Sequence, residues 1–544
     1  MDTDAARTIR YRRMAAMGVF VVAFLLRWPS CGESFWVDEL HTAWCVFADL
    51  SDVGWRAESG NQQNGYFYAL NAWYRGVPAA MESFYGVEAM LRLTSVLFTS
   101  ISAAWLVSMI ARVSGSLIGG VTAGLAMCFE SNAVFFGTEL RPYAAVLFLA
   151  TAMLSLIARM IEQNAVMVRE HGARNDLRSL RSSLIGRGLL HGLVMFAAAL
   201  HVTSLTVLAP LLLMFAVCDW WMRREDVTAR KASMLIHGCA GLLWLVVAVW
   251  WFTEHESLWQ SRSAWTSFAM VKSWRDVWTL WPWMSLLIMP LVVCFIQCVR
   301  NHSSVEAVNR DPAALTLAVL ISVVVGATFA CFLLSSVGGV ALWHRRYLIA
   351  SLPLLCAALG ITIGLLSRRR GVESEGGRGG ALLAVVVAAA CLLVMIFQQG
   401  TLRKLGRGDF RFARRGEDWR SAVALVREVA QPGDVVWVDA GLIEQKGQPT
   451  IITDPKLEEY FRYVVGGPYE IGNEVEPVGV GDHAVEAWLK LHALTALPND
   501  ASGSVAPAVA LLTRQRSPLL QALPTGVADR RFGGVTVLFR QGSL

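Results

Sequence analysis

Eleven apolar stretches fill most of the first 400 positions of this chain. They lie near residues 14–30, 89–111, 115–136, 142–161, 188–203, 204–221, 232–253, 277–298, 313–336, 345–366 and 380–398. A helix that crosses a bilayer needs about 20 apolar residues. The stretches therefore predict an α-helical polytopic membrane protein with about eleven transmembrane helices. Composition agrees: 55% of the 544 residues are apolar and only 17% are charged, whereas soluble domains carry about a quarter. Disordered and collagen-like chains are excluded by the same values. The net charge of +6 comes without a dense basic tract interleaved with aromatics, which argues against a nucleic-acid partner. The first stretch follows the basic tail MDTDAARTIRYRRM, and no small-residue cleavage site comes after it, so it reads as an uncleaved anchor.

Orientation follows from basic residues, which favour the cytoplasmic side. With the N-terminus in the cytoplasm, the inner segments carry 21 Lys and Arg in 82 residues and the outer ones 9 in 103. An odd number of spans then places the tail outside the cytoplasm. Residues 1–399 read as the membrane domain, with a first outer loop at 31–88, and residues 400–544 as a small α/β domain. In the tail, EDWRSAVALVREVA, DPKLEEYFRYVV and HAVEAWLKLHAL read as helices, and VVWVDA, AVALLT and VTVLFR as strands. Its acids Asp418, Asp434 and Asp439 fall at helix starts and strand ends, where capping explains them. Most of the 10 cysteines lie in apolar stretches as small buried hydrophobes. Cys31 and Cys45 share a polar segment, and an oxidising compartment would let them bridge.

Ionisable residues near membrane depth are costly and are functional suspects. The outer ends hold a mixed set: Asp38 and Glu39, Arg92, Glu139 and Arg141, then Arg345 and Arg346. In SFWVDELHTAW a carboxylate is placed to take a proton from an attacking hydroxyl or to bind a divalent cation, with His41 nearby. The plain structural alternative makes Asp38 the N-cap of the following helix. In GTELRPYAAVLF, Glu139, Arg141 and Tyr143 sit at a span mouth, where an arginine can grip a phosphate. In WHRRYLIASLPLL, Arg345, Arg346 and Tyr347 suit a lipid phosphate and equally suit headgroup anchoring.

Together, the Asp-Glu pair after the first span, LRLTSVLF with Arg92, ELRPY and RRYLIASLP resemble the GT-C superfamily of membrane glycosyltransferases. The nearest likeness is to the bacterial branch related to protein O-mannosyltransferases and the aminoarabinose transferase of lipid A. EDWRSA…PGDVVWV is similar to the outer domain of many such proteins. The resemblance implies an enzyme of the cytoplasmic membrane that serves the cell envelope. It would transfer a hexosyl or pentosyl group from a polyprenyl-phosphate-linked donor to a lipid, glycan or protein acceptor at the outer face. Asp38 would be the catalytic acid of the first loop and Glu39 its partner. Glu139 and Arg141 would match the second-loop acid and its neighbour. A divalent metal ion, where used, would take Asp38 and Glu139. Arg92, Arg141, Tyr143, Arg345, Arg346 and Tyr347 would bind substrate. Where many relatives carry a His or a Pro-Pro-Leu-Tyr run, this chain has Gln63, Asn64 and Tyr66.

Chemistry alone supports the same scheme. A sugar on a lipid phosphate has an acidic leaving group that needs charge neutralisation. Its acceptor hydroxyl needs a base, which fits Asp38. Direct attack would invert the anomeric centre. No GxxxxGK[ST] motif occurs, which argues against an ATP-driven transporter. The competing classes are a transporter or flippase with charges near the midplane, and a membrane scaffold whose outer domain binds partners.

Overall fold

The computed structural model describes residues 3–77, 83, 85–169, 177–223, 227–254, 269–300, 311–368, 376–407, 409, 411, 413–472, 474–494, 508–514, 517–521 and 523–540. Most apolar stretches lie on one helix each, but 115–136 is divided between Leu117–Phe129 and Ser131–Gly137, and 277–298 among Arg275–Leu280, Met284–Ile288 and Met289–Arg300. Six described helices are long and apolar enough to cross a membrane: Val87–Val113, Tyr143–Ala165, Val202–Met222, Arg230–Val247, Pro312–Ser336 and Gly379–Gln398. Leu117–Phe129 and Ser131–Gly137, bent by 63°, add a seventh if they form one span. The expected eleven exceeds this number for a physical reason. Leu184–Leu200, Met284–Val299 and Ser351–Ser367 are shorter apolar helices, and the first half of Thr3–Arg27 carries Arg7, Arg10, Arg12 and Arg13.

By contacts the chain forms two compact units, Met1–Ser30 with Leu93–Ala413, and Cys31–Arg92 with Arg414–Leu544. The second unit begins its C-terminal part at Arg414 rather than near 400. The first loop, expected with the membrane domain, belongs to it.

In the first unit, Glu130 makes the bend. It ends one helix and caps the next, with its carboxylate accepting the Ala133 N–H at 2.7 Å. Arg27, fully buried, donates to the carbonyls of Met127 (3.0 Å) and Ala133 (3.2 Å), one on each side of the bend. Leu117–Phe129 meets Ser351–Ser367 backbone to backbone. A Cβ on Gly119 would stand 2.4 Å from the Gly360 carbonyl oxygen, and one on Gly360 would stand 2.6 Å from that of Gly119. Small residues let apolar helices approach this closely. Elsewhere the buried Asp219 carboxylate ties four helices together. It accepts from Arg187 (2.7 and 3.0 Å), Arg223 (3.0 Å), Asn164 (2.8 Å) and Ser233. Sequence reading saw only basic loops there; the acid is hidden inside an apolar stretch.

In the second unit a five-stranded sheet runs in the order β2-β1-β3-β5-β4. Its strands are β1 (Val435–Asp439), β2 (Glu476–Gly479), β3 (Ala510–Thr513), β4 (Val527–Phe532) and β5 (Val535–Arg540). β2, β1 and β3 are parallel, while β5 and β4 are antiparallel. Val435 and Trp437 pack with Val485, Trp488 and Leu489 of helix Ala484–Leu494. Helix Trp419–Val429 buries Trp419, Ala422, Val423, Val426 and Val429, a helical stripe. The expected helices and strands of the tail are all present; β2 and β4 were not foreseen. Asp418 caps Trp419–Val429 through the Ser421 N–H at 3.1 Å. Asp439 accepts from Gly441 N–H (3.0 Å) and Thr513 Oγ1 (2.7 Å).

Candidate functional site

Asp38 lies in the first turn of helix Val37–Val46, not at its cap. The N-cap position is Trp36, whose side chain makes no capping bond. The free end of this helix is held instead by the C-terminal part of the same unit. Glu417 accepts the Val37 N–H at 2.9 Å, and its carboxylate also takes Arg514 Nε (2.6 Å) and Trp419 Nε1 (2.9 Å). The Tyr463 hydroxyl donates to the Val37 carbonyl at 2.9 Å. The Phe35 N–H donates to the Tyr469 hydroxyl at 2.9 Å, and that hydroxyl is 2.7 Å from Glu88.

The two adjacent acids have different surroundings. Glu39 is fully buried, and its carboxylate grips the buried Arg92 guanidinium through both oxygens, with Nε–Oε1 at 2.9 Å. Arg415 Nε lies 3.9 Å away. Arg92 also donates to the carbonyls of Cys31 (2.8 Å), Glu33 and Ser34 (3.3 Å), and it lies 4.8 Å from the Phe35 ring centroid. Arg92 therefore pins the start of the loop and Glu39 neutralises it; its donors are engaged inside the protein rather than presented to a phosphate. Asp38 is half-buried, the more accessible carboxylate of the pair.

His41 is packed among Trp44, Phe67, Tyr460 and Tyr463, with Nε2 2.9 Å from the Arg56 carbonyl oxygen. A Cβ on Gly60 would strike its ring at 2.5 Å. Its place is a packed aromatic box rather than a metal shell. Cys31 and Cys45 are buried thiols with no disulfide between them. Among the described residues no group of three or more His, Cys, Asp and Glu side chains is placed to hold a metal ion.

Sequence reading missed Glu444 and Tyr463. Burial, and then the Asp38 charge, raise the Glu444 carboxyl above its ordinary 4.5. Burial first also pushes the Tyr463 phenol up, with Tyr460 and Asp38 adding to it. The missed signal is positional. Glu444 follows the C-terminal end of parallel strand β1, where loops of α/β sheets carry ligand sites.

In the first unit, Arg141, Tyr143, Arg346 and Tyr347 gather round buried His201. The Tyr143 and His201 ring centroids are 5.1 Å apart, and those of His201 and Tyr347 6.5 Å. Arg346 Nη2 is 3.3 Å from the Tyr347 hydroxyl, and Thr206 donates to the Tyr347 carbonyl at 2.7 Å. Glu139 is buried close by in sequence, its carbonyl accepting from Ser95 Oγ at 2.7 Å. Arg345 leaves this group: it reaches Asn132 Oδ1 (3.4 Å) and the Thr279 carbonyl (2.8 Å). The adjacent arginines thus serve different places.

No protein-family model matches the chain, and no curated protein does. Among solved structures the chain is similar to ArnT from Cupriavidus metallidurans in the apo state. The match covers 98% of both chains at 12% identity, with a TM-score of 0.44. At that identity and score the likeness assigns no chemistry, which has to come from the residues themselves.

Proposed function

We propose that the chain is a membrane glycosyltransferase that uses a polyprenyl-phosphate-linked sugar as donor and acts at the outer face of the cytoplasmic membrane, with its second unit outside the cytoplasm. The carrying observation is the split between the two adjacent acids. Glu39 is consumed by Arg92, while Asp38 stands half-buried on a helix start fixed by Glu417 and Tyr463. In this reading Asp38 accepts the proton of the acceptor hydroxyl as its oxygen attacks the anomeric carbon. The bond from that carbon to the phosphate oxygen breaks with inversion. Arg141 and Arg346 neutralise the departing lipid phosphate, assisted by Tyr143 and Tyr347. Glu39 and Arg92 are positioning residues for the Asp38 loop.

Asp38→Asn keeps the size and removes the charge a base needs. Turnover with a polyprenyl-phosphate sugar and membrane acceptors should fall by about 10²–10⁴, with donor binding retained. Arg141→Ala should weaken donor binding first. Normal turnover of Asp38→Asn would end this reading.

A further inference from the structure

The first unit holds two adjoining cavities of opposite character. One, of about 430 Å³, is walled by Asn132, Gln399, Trp281 and Arg345. The other, of about 300 Å³, is lined almost wholly by apolar groups such as Leu287, Val325, Phe329 and Phe332. Trp278 and Trp283 line both, so the polar and apolar spaces share a wall.

The polar half offers two donors, the Arg345 guanidinium and the Trp281 indole N–H. Arg345 has no carboxylate within ion-pair distance among the described residues; its donors reach Asn132 Oδ1 and the Thr279 carbonyl. Glu130 sits behind the wall and orients it. It accepts Asn132 Nδ2 at 2.7 Å and Gln399 Nε2 at 2.9 Å, which turns Asn132 Oδ1 toward Arg345. Trp281 is 2% exposed, yet its indole N–H has no partner among the described residues. A buried donor left unpaired is costly, so an acceptor-bearing occupant is favoured there. In the apolar half, Val325, Phe329 and Trp278 are exposed. Val325 and Phe329 lie on membrane-crossing helix Pro312–Ser336, so a chain could enter sideways from lipid. An interfacial tryptophan belt would explain exposed Trp274 and Trp278. It explains neither the concavity nor the orphan N–H of Trp281.

We infer that this two-part cavity seats one anionic phospholipid of the surrounding bilayer, with its phosphodiester at Arg345 and the Trp281 N–H and an acyl chain along Val325 and Phe329. Charge favours a phosphodiester lipid over a phosphomonoester, and exposure of Val325 and Phe329 on an apolar helix favours a lipid of the surrounding bilayer. A phosphodiester carries one negative charge and meets one guanidinium. A phosphomonoester carries close to two, which the single guanidinium would leave unbalanced. The inference is independent of the proposed sugar transfer, and its test reads binding rather than turnover.

The full chain, purified and delipidated in detergent, is titrated with phosphatidylglycerol, phosphatidylcholine and a prenyl phosphate, and bound lipid is counted by native mass spectrometry. Phosphatidylglycerol should bind with one site and at least about tenfold preference. Arg345→Gln should weaken it by about ten- to a hundredfold, the worth of a charged hydrogen bond. Val325→Trp, at an exposed position, should fill the chain half and weaken it without lowering the thermal midpoint of the lipid-free protein. If Arg345→Gln fails to fold, Val325→Trp decides alone. Equal binding of both phospholipids, or unchanged affinity in Val325→Trp, would overturn the inference. Displacement of phosphatidylglycerol by lower concentrations of prenyl phosphate would overturn it too, and would give the cavity to a prenyl lipid.

Discussion

The Glu39–Arg92 pair can be taken apart by a double-mutant cycle. Glu39 is fully buried and Arg92 equally so, and removing one member of such a pair costs about 3–5 kcal/mol because the other stays buried and uncompensated. Glu39→Ala should therefore lower stability by about that amount, roughly 6–20 °C in the unfolding midpoint for a unit of this size. Arg92→Ala should cost more, since the carbonyls of Cys31, Glu33 and Ser34 lose their donor as well. The double variant should cost less than the sum, with a coupling of about 2–3 kcal/mol. Thermal unfolding of the detergent-purified protein, with hydrogen exchange in helix Val37–Val46 as the local readout, measures all three. Glu39→Gln keeps an acceptor for Arg92 Nε and should retain most turnover. A coupling below about 0.5 kcal/mol, or a Glu39→Gln protein that is stable but inert in sugar transfer, would refute the assignment of this pair as structural.

Glu417→Ala should lower both unfolding temperature and turnover, by about 0.5–2 kcal/mol for the lost cap alone, while Glu417→Gln should recover part of each; unchanged turnover in the alanine variant would separate Asp38 from its cap. For pH, the raised Glu444 carboxyl means the folded state holds that proton more tightly than the unfolded one. Its contribution is complete at low pH and is lost as pH climbs from 4.5 through the raised value. Glu444→Gln should flatten the fall of stability with pH in that window, as followed by unfolding temperature across buffers; an unaltered slope would show that Glu444 titrates normally.

Much of this protein is legible in the sequence because its strongest signals are periodic. The apolar stretches have only one way to bury their length, and the tail's helix and strand patterns alternate cleanly. β2 was missed because EPVG is short and opens on Glu-Pro, and β4 because VADRRF has charges where an apolar face would be expected. The site was read in fragments for a different reason. Asp38-Glu39 is visible as a pair, but only the fold shows that Arg92 claims one member and Glu417 caps the helix carrying the other. Arg345 and Arg346 are neighbours in sequence, and no spacing rule could show that they serve different places. Asp219 escaped notice because, apart from Arg223 at the end of its own helix, its partners Asn164, Arg187 and Ser233 come from three other helices.

The second unit is assembled from two pieces of chain that are made far apart in time. Val37 waits for Glu417, which follows it by 380 residues, and Phe35 waits for Tyr469, which follows by 434. At ribosomal speeds of about 5–20 residues per second, the first contact is delayed by roughly 20–80 s. Throughout that interval the Asp38 helix has neither its cap nor its tyrosine clamps, and an unsupported ten-residue helix is marginal in water. Synthesis order therefore acts as a timer on the molecule. Nascent chains and C-terminally truncated products present an unformed Asp38 segment, and only a polypeptide that has emerged past Tyr469 can assemble it.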